Sequence, residues 1–394
     1  MYGRQYFVTD LPSNKLTKVY YAFANINNST GEVTLSDEWA DLQFIYPTDV
    51  APPNSTNSTL LYGNFNQLFK LKQQNRNLKV VLSIGGWPYR TNFAPGLSTS
   101  ARRAKFAASS TQLIQDLGLD GIDIDWEYPE TIADGENFVD TVKRCREAFD
   151  TYAAEHAEGY HFELGISAPA GPIRYNAMPI AEMDEYVDYW NLMAFDYQGP
   201  GFSNFTGHLS NLYASKKNPK ATDFNTDQAI QHYKDEVSSS KKINLGLPLY
   251  GRSFANVVSG RNYGLGQAFN GSGEGTWEAG VLDYKSIPLN GTIHVDREAV
   301  ASWTYDNATR QFVTFDTPAI QEKKTQYLIK EGLGGAWWWD SSSDRTDEQS
   351  LTTTVSEALG GVRALAKNPN WISFPVSKYD NIRAVAKNST AGRY

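Results

Sequence analysis

The sequence predicts an α/β fold in which parallel strands are joined by helical crossovers. Short apolar runs alternate with amphipathic helical stretches along most of the 394 residues. The runs are apolar almost throughout, as strands covered on both faces are. Two architectures satisfy this pattern, an open doubly wound sheet and a (β/α)8 barrel. No Gly-rich phosphate loop follows the first strand, which removes the main mark of a dinucleotide-binding sheet.

The strand-like runs are Lys18–Ile26, Lys79–Ile84, Gly121–Trp126, Phe162–Ala168, Val187–Ala194, Ile243–Leu249 and Gly335–Trp339. Between them, Ala101–Leu117 carries Phe106, Leu113, Ile114 and Leu117 on one helical face and meets a stop signal at Gly118. Pro318–Lys330 repeats the arrangement and closes at Gly332. The rhythm breaks between Arg252 and about Phe315, where Gly-rich turns separate short β-like pieces. This stretch is expected to be a small α+β subdomain inserted after a barrel strand. Beyond Ser350 a last helix and a loop-rich end are expected.

Composition narrows the function. The chain is 41% hydrophobic, enough for a sizeable core, and its net charge is −8. That balance disfavours nucleic acid and anionic membrane surfaces as partners. No apolar run is long enough to span a bilayer. Ten Trp and 23 Tyr suit either a large core or a site for sugars, whose rings stack on flat apolar faces. The lone Cys145 falls on the apolar face of a helical stretch, Glu136–Tyr152, and is expected to be buried and structural. Five scattered histidines do not suggest a metal site. The opening MYGRQYFVTD lacks the apolar region of a signal peptide. Even so, Asn28, Asn54, Asn57, Asn204, Asn270, Asn290, Asn307 and Asn388 all fit N-x-[ST]. An extracellular location is the expectation, with the cytoplasm as the alternative.

The chemistry is concentrated in Asp120-Gly-Ile-Asp123-Ile-Asp125-Trp-Glu127-Tyr-Pro. Side chains alternate along a strand, so Asp123, Asp125 and Glu127 share one face and Ile122, Ile124 and Trp126 the other. Consecutive acids lie roughly 6–7 Å apart. Three acids in one confined space do not all ionise cheaply, so at least one must hold its proton above the usual range. Glu127 comes last, at the strand end where barrel active sites form, and is suited to general acid catalysis. A calcium loop also spaces acids two apart, but it needs Gly at its sixth position, where Tyr128 stands.

DGIDIDWE resembles the D-x-x-D-x-D-x-E signature of glycoside hydrolase family eighteen, the chitinases. Four further segments are similar to that family's motifs, in the same order: Ser83-Ile-Gly-Gly86-Trp87, Met193-Ala-Phe195-Asp196-Tyr197, Leu249-Tyr250-Gly251-Arg252 and Ala336-Trp-Trp-Trp339-Asp340. The tail SKYDNIR looks like that of fungal-type members. The resemblance implies a (β/α)8 TIM barrel over residues 1–251 and 316–394, with the α+β insertion at 252–315. It implies hydrolysis of β-1,4 bonds in chitin and chitooligosaccharides by a monomer, without metal or cofactor. The implied mechanism departs from the two-carboxylate scheme because the substrate's N-acetyl oxygen is the nucleophile. Glu127 would be acid and then base, Asp125 would hold the acetamido N–H, and Asp123 would tune Asp125. Ser83 and Asp120 would support them from behind. Gly86, Trp87, Tyr128, Met193, Phe195, Asp196, Tyr197, Arg252, Glu278 and Trp339 would bind substrate, with Trp339 beneath the sugar and Trp87 on the leaving side.

Two departures from the family pattern stand out. Phe195 replaces the usual Tyr, losing a hydroxyl expected to hold the acetamido oxygen; one such bond is worth about 1–3 kcal/mol, roughly tenfold to a hundredfold in rate. Also, seven strand–helix units are identifiable where a barrel has eight, and YGRQYF looks like the segment that follows the family's first strand. Loss of that strand is the expectation. The competing readings are a catalytically weak or inactive chitin-binding lectin of the same fold, an enzyme releasing N-glycans, which usually lacks the insertion, and an open α/β binding protein.

Overall fold

The apolar runs form parallel strands whose burial follows their composition. The computed structural model describes residues 1–49, 59–289 and 291–390. The chain divides into two compact units. The first comprises Met1–Ser167, Ala177–Asp188 and the chain from Leu365 onward; the second comprises Ala168–Asn176 and Tyr189–Ala364.

The first unit holds β1 (Lys18–Ile26), β2 (Val33–Thr34), β3 (Lys79–Gly85), β4 (Gly121–Asp125) and β5 (Glu163–Pro169), whose last two residues pass into the second unit. β1, β3, β4 and β5 are parallel neighbours in that order, and β2 adds a two-residue antiparallel pairing to β1. β4 and β5 are buried at every residue, as strands covered on both faces must be. Helix Ser100–Leu117 begins where the Thr99 hydroxyl accepts the Arg102 N–H and ends at Gly118 in the left-handed conformation. Helix Ile132–His156 opens on a capping box between Thr131 and Asp134, and Cys145 is buried on its inner face.

Polar groups at the start of these strands are paired. Lys72 and Asp120, both fully buried, meet at 2.8 Å, and Lys72 also donates to the Gly118 carbonyl. Lys18 and Lys79 converge on Glu163 at 2.7 and 2.8 Å. The segment after Ser350 is more ordered than expected: it contains helices Leu351–Ala358 and Asp380–Thr390. Asn370 ties the connection between them to the Lys72, Asn75 and Leu78 carbonyls.

The second unit holds β6 (Tyr189–Met193), β7 (Ile243–Pro248) and, far along the chain, β13 (Gly335–Trp339), parallel in the order β6-β7-β13. The stretch that breaks the rhythm forms a five-stranded antiparallel sheet. Its strands are β8 (Tyr250–Phe254), β9 (Val281–Asp283), β10 (Ile293–Asp296), β11 (Ala301–Asp306) and β12 (Gln311–Phe315), in the order β10-β11-β12-β8-β9. Alternation gives this sheet two apolar faces. Phe312 and Phe254 pack with Val257, Leu265 and Trp303; Val313 and Phe315 pack with Leu249, Tyr284, Ile287 and Leu351. The first sheet strand begins at Tyr250, two residues ahead of the expected 252.

The described residues thus contain seven parallel strands, β1, β3, β4, β5, β6, β7 and β13, the number read from the sequence. β13 is partly exposed at all five residues, whereas β4, β5 and β6 are buried throughout.

Candidate active site

The acids of β4 are placed by strand alternation. Ile122 and Ile124 are fully buried on one face; Asp123 and Asp125, 1% and 5% exposed, occupy the other. The strand ends at Asp125, so Glu127 stands just beyond it and is only half-buried. Trp126 anchors that end, stacked on Phe93 at 5.5 Å and tilted against Phe138 at 5.4 Å. The peptide bond between Glu127 and Tyr128 is cis.

Register decides what surrounds each acid. Ser83 lies opposite Asp123 on β3 and donates its hydroxyl to Asp123 Oδ2 at 2.9 Å. Ser167, on β5, donates to the same oxygen at 2.8 Å. Asp125 is different. Burial, then the Glu127 and Asp123 carboxylates, raise its proton affinity well above the ordinary range. Its Oδ1 is buried and has no hydrogen-bond partner. Buried polar atoms are rarely left this way, so the oxygen is free to receive a donor from a ligand.

The turn after β3 requires its glycines. Gly85 (φ 113°) pairs with Asp125, and a Cβ there would come 2.3 Å from the Asp125 carbonyl oxygen. At Gly86 (φ 69°) a Cβ would meet the Phe23 ring at 2.4 Å. The turn presents Trp87, 59% exposed, with the Arg90 guanidinium 3.9 Å from the centroid of its ring. Tyr128 is half-buried.

The second unit carries the other predicted residues. Met193 ends β6 and is 9% exposed. Phe195 is half-buried, edge-on to Trp337 at 5.5 Å and to Tyr250 at 6.1 Å. Asp196, in a left-handed conformation (φ 59°), accepts the Arg252 Nε–H at 2.7 Å. Burial alone would weaken the Arg252 charge; Asp196 outweighs it, with Tyr250 and Glu278 adding to the effect, so the guanidinium is held charged more firmly than usual. Glu278 is exposed, within electrostatic reach of Arg252. Trp339 ends β13 half-exposed, while Trp338, on the opposite face, packs into the core containing Leu249 and Phe315. Among the described residues, no group of three or more His, Cys, Asp or Glu is arranged to hold a metal ion.

Two expected residues are elsewhere. Asp120 does not support the carboxylate row: at the entry of β4 it pairs with Lys72 and accepts the Val80 and Trp371 N–H groups. Tyr197 is not available to substrate: it is 4% exposed, its hydroxyl bonds to Thr226, and its ring packs on Phe224 at 4.5 Å. Two residues were missed. Ser167 is a polar residue inside an apolar run, two positions after the Gly165 that pairs with Asp123. Tyr250 shares a face of β8 with Arg252 by simple alternation, and the guanidinium lies 5.6 Å from its ring.

The family model described as Glycosyl hydrolases family 18 matches residues 1–344. The chain belongs to glycosyl hydrolase family 18. Endochitinase 1 of Metarhizium robertsii is 43% identical over 384 residues, covering 97% of this chain and 88% of the relative. Chitinase 1 of Aphanocladium album is 42% identical with the same coverage. Among solved structures, a chitinase from Bacillus thuringiensis superposes with a TM-score of 0.84 at 27% identity, covering 94% of this chain and 69% of that one. The catalytic domain of a psychrophilic chitinase B from Arthrobacter gives 0.79 at 29%, covering 93% and 94%. These family 18 relatives decide between the two architectures left open by the apolar pattern: the fold is the TIM barrel with an added antiparallel sheet.

Proposed function

We propose that this family 18 chain hydrolyses the β-1,4 bonds of chitin and chitooligosaccharides, using Glu127 as the acid and the substrate's own acetamido group as nucleophile. The supporting observation is Asp125, a buried carboxyl next to Glu127 whose Oδ1 has no hydrogen-bond partner and whose proton affinity is raised by burial and by the neighbouring acids. An acetamido N–H is the donor that this oxygen lacks. Held there, the acetamido oxygen attacks the anomeric carbon while the glycosidic C–O bond breaks. Glu127 gives its proton to the departing oxygen. The resulting oxazolinium ion is then opened by water, whose proton returns to Glu127, and the configuration is retained. Supplying the nucleophile from within the substrate converts a bimolecular step into an intramolecular one.

Asp123, fixed by Ser83 and Ser167, tunes the charge on Asp125. Trp339 stacks beneath the sugar at the cleaved bond, and Trp87 stacks a sugar on the leaving side. Asp196, oriented by Arg252, contacts the distorted ring. Gly86, Tyr128, Met193, Phe195 and Glu278 complete the proposed set of substrate contacts. The division into a barrel (1–251 and 316–394) and an insertion (252–315) belongs to the same reading, as does action as a monomer.

We place the enzyme outside the cell. Asn28, Asn204, Asn270 and Asn307 are all exposed, as glycosylated sequon asparagines must be. Asn54, Asn57 and Asn290 lie outside the described residues. No helix among the described residues is long and apolar enough to cross a membrane. The test of the activity is turnover of a fluorogenic chitooligosaccharide: release of fluorophore by the wild-type chain supports the reading, and oligosaccharide binding without release favours the lectin.

A further inference from the structure

Tyr263 is conspicuous in the insertion. It is a large aromatic side chain that is 59% exposed. One face of the ring lies on His294 of β10 at 3.9 Å and 17°, a parallel stack. His294 pairs across the ladder with Trp303 of β11, whose ring is 5.4 Å away and 4% exposed. The Trp303 indole N–H then returns to hold the Tyr263 carbonyl at 3.0 Å. The exposed ring is therefore the outermost of three successive rings, stacked on His294, which tilts against Trp303, and its backbone is held by the innermost ring.

The backbone conformation is unusual. Asn262 (φ 51°, ψ 36°) and Tyr263 (φ 50°, ψ 45°) are consecutive non-glycine residues in the left-handed region. Single residues visit that region occasionally, and two in succession need surroundings that impose it. Those surroundings are present. The Asn262 amide donates to Asn218 Oδ1 at 2.7 Å, and Asn218 in turn donates to Asp296 Oδ2 at 3.1 Å. Gly264, also left-handed, lies so close under the Tyr305 ring that a Cβ would meet it at 2.6 Å. None of this displays the ring to the core. It presents one flat face to solvent, rigidly, beside an exposed amide.

We propose that Tyr263, backed by His294 and flanked by Asn262, is a surface binding platform for a pyranose ring of a β-1,4-linked N-acetylglucosamine chain, separate from the residues assigned to catalysis. The proposal rests on the chitin-hydrolysing reading and extends it to how the enzyme holds an insoluble polymer. A sugar with equatorial substituents presents axial C–H groups on both faces, and a flat aromatic ring is the complementary surface. A ring already stacked against His294 loses less conformational freedom on binding than an unsupported one, which favours weak contacts to a repetitive polymer. The Asn262 amide offers donor and acceptor groups for the ring hydroxyls or acetamide.

The test uses Tyr263→Ala, Tyr263→Leu and Tyr263→Phe in the full chain. Turnover of soluble chitotetraose is measured with Glu127 intact. Adsorption to insoluble chitin is measured in the Glu127→Gln background, where the polymer is not consumed. The expectation is unchanged chitotetraose turnover in all three, with adsorption weakened roughly threefold to tenfold in the Ala and Leu variants, the span of one aromatic stack. The Phe variant, which keeps the flat ring, should adsorb like its parent. Should the Ala variant fail to fold, the Leu–Phe comparison decides. Equal adsorption by Leu and Phe overturns the platform while leaving the enzymatic reading intact. No turnover of chitotetraose by the wild-type chain overturns that reading instead.

Discussion

Next to burial itself, the Glu127 carboxylate does most to raise the proton affinity of Asp125. The two acids are two residues apart, one ending β4 and the other just past it. In the proposed mechanism the acid acts within this coupled pair. The reaction rate is therefore expected to be highest at acidic to near-neutral pH and to fall on an alkaline limb that lies above the ordinary carboxylate range. The check is a pH profile of kcat/KM on a soluble chitooligosaccharide. A rate that stays flat well above neutrality contradicts the account.

The same proton has a cost in stability. A carboxyl that binds its proton more tightly folded than unfolded contributes stability that is complete below its unfolded value near 3.8 and is lost as pH climbs toward the higher folded value. Asp125→Asn removes that loss. Its melting temperature should exceed that of the wild type at neutral and alkaline pH, with the difference shrinking in acid, while activity falls sharply. Thermal melts at several pH values would show this, and an Asn variant less stable than wild type at high pH would contradict it.

Ser167 should matter to the reaction although it does not touch substrate. Its hydroxyl and that of Ser83 share one Asp123 oxygen. Ser167→Ala leaves that oxygen with one donor fewer, a loss of about 1 kcal/mol, or roughly fivefold if it is felt in the transition state. The effect is expected in kcat with little change in KM, together with a shifted alkaline limb. A wild-type pH profile in this variant would reduce Ser167 to a packing residue.

Phe195 gives a prediction in the direction of gain. Its ring lies against Trp337 and Tyr250 without a hydroxyl of its own. Phe195→Tyr should restore a donor toward the acetamido oxygen and raise kcat by about tenfold, equivalent to ~1.4 kcal/mol. An unchanged or lower rate with binding intact would mean the carbonyl is held some other way.

Much of this arrangement could be read in advance, and the limits have physical causes. Alternation along Gly121–Trp126 was enough to put Asp123 and Asp125 on one face, because the pleat has a period of two. The broken rhythm after Arg252 marked the antiparallel sheet for a similar reason. Cross-strand relations were less legible: Ser167 reaches Asp123 through β4–β5 register, which no local pattern encodes. Asp120 was expected to support the acid row from behind, but Lys72, on a helix 48 residues earlier in the chain, claims it. Tyr197 followed a motif, and Thr226 and Phe224 bury it. The Tyr263 stack depends on left-handed backbone at two residues that carry no glycine signal.

In the proposed mechanism Glu127 supplies the proton to the leaving sugar. The most direct test is Glu127→Gln assayed twice, for turnover of a fluorogenic chitooligosaccharide and for binding of the same oligosaccharide by calorimetry. Turnover should fall by at least about a thousandfold, with affinity retained within a few-fold, because the amide keeps the shape and loses the proton. Turnover near that of the wild type in a variant that binds normally would contradict it.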